Sequence, residues 1–195
     1  MREARAYASW LAVAFGVAST AASAQADDRT ALTTMHLTVL TYDRSMKNRG
    51  DDKIVTLGVV YNPDSQASQN DAQSVGTDFA TSALNITLNK RQVKAVMVPW
   101  QGNQMGQDLR ANKVDLLYVA AGTWTVLDDI KRVAKARKLP TLAGSRAMIA
   151  AGLGLGVVPG EHGPRILINR KAARAHGMSL DARVYRHAEL IDEDQ

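Results

Sequence analysis

Two stretches constrain this chain more than any other feature. Lys53–Tyr61 (KIVTLGVVY) and Val114–Ala120 (VDLLYVA) are almost continuously apolar over the length of a strand. A strand with one wet face alternates, whereas one covered on both faces does not, so both stretches read as strands of a parallel sheet. The intervening residues supply the helices such a sheet requires. Asn62-Pro63-Asp64 ends the first of these strands, and Ser68 is placed to cap a helix in which Ala72, Val75 and Phe79 form a narrow apolar stripe. Gln92–Pro99 (QVKAVMVP) is again strand-like and Gln104–Asn112 helix-like.

Gly122-Thr123-Trp124-Thr125 leads into the strongest helix, with Val126, Leu127, Ile130, Val133 and Ala134 on one face. Asp128 and Asp129 fall in its first turn and Lys135, Arg137 and Lys138 in its last, which matches the helix dipole, and Pro140 stops it. Thr141–Gly144 is a short strand. Gly156–Pro159 and Arg165–Asn169 predict a closing hairpin with Glu161-His162-Gly163 in its turn. Asn169 is placed to cap a short helix over Lys171–Ala175 ended by Gly177, and Ser179 to cap another running to about His187. Ahead of all these, Met35–Tyr42 (MHLTVLTY) is rich in β-formers and reads as a first strand.

The whole pattern predicts a single α/β domain: three layers, a mostly parallel sheet with helices on both faces, Rossmann-like, joined by right-handed crossovers. Domain boundaries follow as 25–34, a flexible N-terminal segment; 35–191, the domain; and 192–195, an acidic tail. Residues 1–24 read as an export signal, with Arg2 and Arg5, an apolar run from Trp10 to Ala18, and Ala22-Ser23-Ala24 as the cleavage site. Cleavage after Ala24 removes Arg2, Glu3 and Arg5 and leaves 22 basic and 18 acidic residues in 171, a mildly basic mature chain. No later uncharged apolar run approaches the roughly 20 residues that span a bilayer, so a soluble periplasmic protein is expected.

In such sheets ligands bind beyond the carboxyl ends of the strands, at helix N-termini. Three loops are therefore the candidates: Asn62–Ser68, Gly122–Thr125 and Gly144–Ser145. They nominate Ser65, Ser68, Gly122, Thr123, Trp124 and Ser145 as ligand-binding residues, although Ser68, Thr123 and Thr125 serve equally well as helix caps. Trp100 and Trp124, at or just past strand ends, suit a pocket lining, a partner interface or the core.

Several chemistries lack their residues. With no cysteine, thiol catalysis, disulfides and thiolate metal sites are excluded. No G-x-S-x-G pentapeptide occurs, and His36, His162, His176 and His187 lack metal-ligand spacing and read as surface or turn residues. Gly152–Gly156 (GLGLG) precedes a strand rather than opening a helix, so it reads as a tight bend where backbone approaches backbone, not a phosphate loop. Arg44, Lys47 and Arg49 form a small positive patch on a solvated loop. Basic clusters at 131–138 and 165–174 have few aromatics nearby, which argues against nucleic acid. No enzyme, metal or cofactor is expected.

Three segments carry a resemblance to a known family: TYDRSMKNRGDDKIVTLGVVYNPDSQAS, VDLLYVAAG followed by a helix, and MIAAGLGLGVVPGEHGPRILINRKAARAHGMSLDARVYRHAEL. Over roughly residues 36–191 the chain resembles the periplasmic YfiR-like (YfiR/HmsC) proteins. The resemblance implies a non-enzymatic regulator that docks on and restrains the periplasmic part of an inner-membrane diguanylate cyclase or sensor kinase. It implies a place in cyclic-di-GMP signalling, modulated by a small-molecule effector or envelope stress, and any homodimer should be two-fold symmetric. Better-studied members carry disulfides, and an F-x-x-x-x-x-W-P segment near the mature N-terminus; this chain has neither, so redox control of that kind does not operate here. GVVYNPDSQAS and ILINRKAARAHGM also look like the domains of ABC-type solute-binding proteins, which implies the alternative of a small-molecule-binding component. Those receptors clamp a ligand between two domains, and 171 residues make one.

Overall fold

The computed structural model describes residues 17–51 and 53–191, with side chains from residue 28 onward. In chain order the elements are α1 (Val17–Leu40), β1 (Ile54–Tyr61), α2 (Gln66–Ser82), β2 (Gln92–Pro99), α3 (Met105–Ala111), β3 (Leu116–Val119), α4 (Leu127–Arg137), β4 (Thr141–Ala143), α5 (Arg146–Ala150), β5 (Leu155–Val158), β6 (Arg165–Ile168), α6 (Arg170–Ala175), α7 (Ala182–His187) and β7 (Ala188–Leu190). The strands make one sheet in the order β2-β1-β3-β4-β5-β6-β7. The first five run parallel, and β6 returns antiparallel to β5 through the predicted hairpin. The three-layer, mostly parallel α/β fold expected from the sequence is the fold observed.

Both apolar stretches do what their composition requires. All six interior positions of β1, Val55–Val60, and all four residues of β3 are buried. Alternate side chains enter two cores. Val55, Leu57, Val59 and Tyr118 meet α1, α2 and α7 through Leu37, Phe79 and Val184. Val60, Leu117 and Val119 meet α3, α4 and α5 through Leu109, Ile130 and Ile149 on the opposite face. Gly58 sits where a Cβ would come within 2.9 Å of Val114 Cγ1, so β1 has no room for a side chain there.

The N-terminal expectation is corrected. Met35–Tyr42 is not a strand, and 25–34 is not a loose lead-in; both belong to or directly follow α1, which continues across the expected cleavage point after Ala24. Thr33, His36, Leu37 and Leu40 are buried at helical spacing, so one stripe faces α2 and the sheet. Packing of that stripe outweighs the β propensity of its Thr and Val residues. Thr33 Oγ1 meets Ser82 Oγ at 2.9 Å and tethers α1 to the end of α2. The first sixteen residues of the expected signal, and the tail 192–195, lie outside the described residues.

Two caps shift by a few residues. Ser65, not Ser68, caps α2 by accepting from the Ser68 N–H. Asp181, not Ser179, caps α7 by accepting from the Arg183 N–H, which shortens that helix to Ala182–His187. Asn169 caps α6 as predicted. In the GLGLG run, a Cβ on Gly154 would lie 3.1 Å from Ala173 Cα, the close backbone approach the sequence suggested.

Candidate functional site

The strand order places β1 beside β3, while the chain leaves β1 towards β2 on one side and reaches β3 on the other. This is the topological switch point, where two loops diverge beyond the carboxyl ends of adjacent strands and open sheets of this type bind their ligands. Two of the three loops nominated from the sequence, Asn62–Ser68 and Gly122–Thr125, fall here; α2 takes up residues 66–68, so the loops themselves are 62–65 and 120–126. Gly122, at φ +76°, fits against the first turn of α2: a Cβ there would be 3.1 Å from Ser65 Oγ and 3.2 Å from Ser68 Cβ. Ser65, Ser68, Gly122, Thr123 and Trp124 are thus brought to one place.

Their hydroxyl groups, however, are turned inward. Ser68 is wholly buried and its Oγ accepts from the Asn62 N–H at 3.0 Å. Ser65 Oγ accepts from the Ser68 N–H at 3.3 Å. Thr123, also wholly buried, donates to the Ala120 carbonyl at 2.9 Å. Asn62 Oδ1 accepts from the Asp64 N–H at 3.0 Å, an Asx turn that sets the entry into α2. Each hydroxyl fixes loop geometry, which leaves Trp124, 52% exposed, as the large side chain presented to solvent.

Asp71 is a member of this site that sequence reasoning did not nominate. Nearly two turns beyond the cap of α2, its Oδ2 accepts from the Ala121 N–H at 2.8 Å and clips the β3 loop to α2. A carboxylate early in a helix that opens at a strand end was the available signal.

The third nominated loop is structural. Ser145 Oγ caps α5 by accepting from the Met148 N–H at 3.2 Å. A Cβ on Gly144 would lie 2.6 Å from the Tyr118 hydroxyl. Burial, followed by the nearby Asp71 charge, pushes the Tyr118 phenol up, so it stays protonated. Its ring meets Phe79 and His36 edge-on, with centroids at 5.4 and 5.8 Å.

Other expectations change. His36 and His176 are buried rather than at the surface. Burial holds His36 down at about 4, and the neutral ring accepts from the Val157 N–H at Nε2 while Nδ1 faces the Leu32 carbonyl. Arg49 is not part of a solvated patch: it donates to the carbonyls of Asp115, Lys138 and Gly177 and clasps three segments together. Trp100 is half-buried against the α3 side of the sheet. Among the described residues no group of three or more His, Asp or Glu could hold a metal ion, and no helix is long and apolar enough to cross a membrane.

A concave surface separate from these loops lies between α1 and α7. It is a groove of about 470 Å³ floored by Met35, Val39, Ile166 and Val184 and rimmed by Arg183 and Arg186. The Arg183 guanidinium stacks over Tyr42 at 5.2 Å, and Asp181 pairs with both Arg183 and Arg44 at 3.1 Å; the Arg183 backbone N–H first, then the two guanidinium groups, hold the Asp181 carboxyl well below the usual range. Reading residues 35–42 as a strand hid this groove.

The comparisons with known proteins give a family and a fold. A family described as YfiR/HmsC-like matches residues 53–189. No curated protein sequence matches the chain. Among solved structures it is similar to a Streptococcus pneumonia ABC domain in complex with L-Trp, with TM-score 0.57, 13% identity, and coverage of 82% of this chain and 61% of the other. It is also similar to CD0873, a Clostridium difficile substrate-binding protein with adhesive properties, in its ligand-free open form, with TM-score 0.54, 16% identity, and coverage of 72% and 55%. A conserved domain protein from Vibrio cholerae O1 biovar El Tor gives TM-score 0.50, 16% identity, and coverage of 70% and 54%. At these identities the likeness is one of fold, and the chain spans little more than half the length of each neighbour.

Proposed function

The chain belongs to the YfiR/HmsC-like family, and from that membership we propose a periplasmic, non-enzymatic regulator that docks on an inner-membrane signalling protein, a diguanylate cyclase or a sensor kinase, and restrains it. The docking surface in this reading is the switch point, with Trp124 at its centre. The observation that carries it is the contrast within that site: the Ser and Thr hydroxyls are spent on internal hydrogen bonds, while Trp124 stands 52% exposed. A large, stiff aromatic held on a braced loop is what protein interfaces use as an anchor. Restraint requires that the anchor bind one state of the partner better than the other, by a few kcal/mol.

The α1–α7 groove supports the effector half of this proposal. Its apolar floor and cationic rim suit a small amphipathic molecule, and Trp124 is not among the residues that line it, so an effector there would act through the fold rather than by competition. The same groove, together with the likeness to a substrate-binding protein, favours the second reading of a small-molecule-binding component.

Capture of tagged protein from cross-linked native envelopes separates the two. Under the regulator reading a membrane cyclase or sensor kinase is recovered. Recovery of a transporter permease instead supports solute delivery and overturns it.

A further inference from the structure

The two edges of the sheet are unlike. At one end β7 has three residues, and its Glu189 is engaged by Arg146 at 2.5 Å and by Arg165. It is a short, charged edge of the kind that resists pairing. At the other end β2 has eight residues, is paired only with β1, and carries no bulge in its register.

Hydrogen bonding fixes which of its backbone groups are unused by the sheet. The Gln92 N–H donates to the Lys53 carbonyl and the Trp100 N–H to the Tyr61 carbonyl, so the even-numbered residues face β1. In a parallel ladder the odd-numbered residues then direct N–H and C=O outward, which here means Val93, Ala95 and Met97, with Pro99 adding a carbonyl. Pro99 is tolerated because its missing N–H would also have pointed outward. Along this edge Met97 is 43% exposed, Ala95 and Val96 are half-buried, and Lys94 is exposed.

We propose that a second copy of this chain occupies this edge, its β2 antiparallel to the first across a two-fold axis at Val96, so that two seven-stranded sheets become one. Symmetry and the pleat restrict the register, because residues opposite each other must lie on the same face of the sheet. With the axis at Val96, Met97 falls opposite Ala95 of the second copy, the largest exposed apolar side chain against the smallest one in the strand. Outward N–H groups of Ala95 and Met97 then meet outward carbonyls of Met97 and Ala95. The two Lys94 residues lie four positions apart, about 14 Å at strand rise, beyond the roughly 8 Å Debye length of physiological salt. An axis at Ala95 would instead bring the lysines within two positions of each other on one face. In the Val96 register the strand thus offers a second copy of itself a large-against-small apolar contact with the lysines held apart, which is the reason to assign the edge to a second copy rather than to another protein's strand.

The absence of native cysteine makes the test clean. Val96 at the axis forms a non-hydrogen-bonded pair with Cα atoms about 4.5 Å apart, within disulfide reach, whereas Lys94 is beyond the roughly 7 Å limit. The purified protein should sediment with twice its chain mass, and Val96→Cys should give on oxidation roughly tenfold more covalent dimer than Lys94→Cys. Met97→Pro, which deletes an outward N–H without touching the β1 ladder, should sediment as a monomer with unchanged circular dichroism. A wild-type protein that stays monomeric, or equal cross-linking at 94 and 96, overturns the proposal. Stronger cross-linking by Ala95→Cys than by Val96→Cys overturns the register. None of these outcomes depends on the regulatory reading above.

Discussion

His36 is enclosed by α1, β4 and β5, and its ring links the three. Nε2 accepts from the Val157 N–H at 3.1 Å and Nδ1 lies 3.0 Å from the Leu32 carbonyl. Protonation would place a charge in a fully buried site and an N–H at Nε2 against the Val157 N–H. The folded protein holds His36 down at about 4 against 6.5 in the unfolded chain, so between those values the unfolded state binds more protons. Stability is therefore full above pH 6.5 and falls as pH drops towards 4, by about 3 kcal/mol in total. Urea unfolding at pH 7 and pH 4.5 should show this loss in wild type and a clearly smaller one in His36→Gln, which keeps an acceptor for Val157. An equal acid loss in both proteins would remove His36 as its cause. At this scale the sequence was informative about residue types and silent about direction. Ser65, Ser68 and Thr123 are at the predicted place, but whether a hydroxyl faces a ligand or its own backbone depends on rotamers set by packing, and here all three turn inward.

Among the elements, α1 is the instructive departure. Its buried stripe mixes Thr33 and His36 with Leu37, Val39 and Leu40, so the apolar period of 3.6 is broken in sequence although the burial period is intact. What completes it is tertiary: Thr33 reaches Ser82 on α2, and His36 reaches β5. Local reading saw the β-branched residues and missed partners 49 and 121 positions away. β1 and β3, whose burial follows from composition alone, were legible because a parallel core strand has few ways to be anything else; the edge strand β2 and the β5–β6 hairpin were legible from their β-formers and turn residues. Helical status of 35–40 is testable. Thr38→Pro should cost about 3 kcal/mol or more by removing a helix hydrogen bond and clashing with the Thr34 carbonyl. Thr38→Ala, with its half-buried side chain merely trimmed, should cost less than about 1 kcal/mol. Equal, small losses in thermal unfolding would argue that this segment is not held as a helix.

At the scale of the whole molecule, the strand order decides where function can sit, and it is the part least available from sequence. Alternating strands and helices predict a parallel sheet, but only the crossover from β2 to β3 past β1 creates a switch point at 62–65 and 120–126. The same order leaves β2 at an open edge and buries β5 in the interior. It also gives the chain three separate surfaces: the switch point with Trp124, the α1–α7 groove, and the β2 edge. Under the readings proposed above, a partner, an effector and a second copy would each have its own surface. The central claim is that Trp124 anchors the membrane partner. The direct measurement is quantitative capture from cross-linked envelopes with Trp124→Ala beside Leu84→Ala, an 83% exposed residue on the far side of α2 from its cap. Loss of an interface anchor is worth about 2 kcal/mol or more, so recovery of the cyclase or kinase should fall at least about tenfold for Trp124→Ala and stay at wild-type level for Leu84→Ala. Undiminished recovery with Trp124→Ala would contradict the assignment of the switch point as the docking surface.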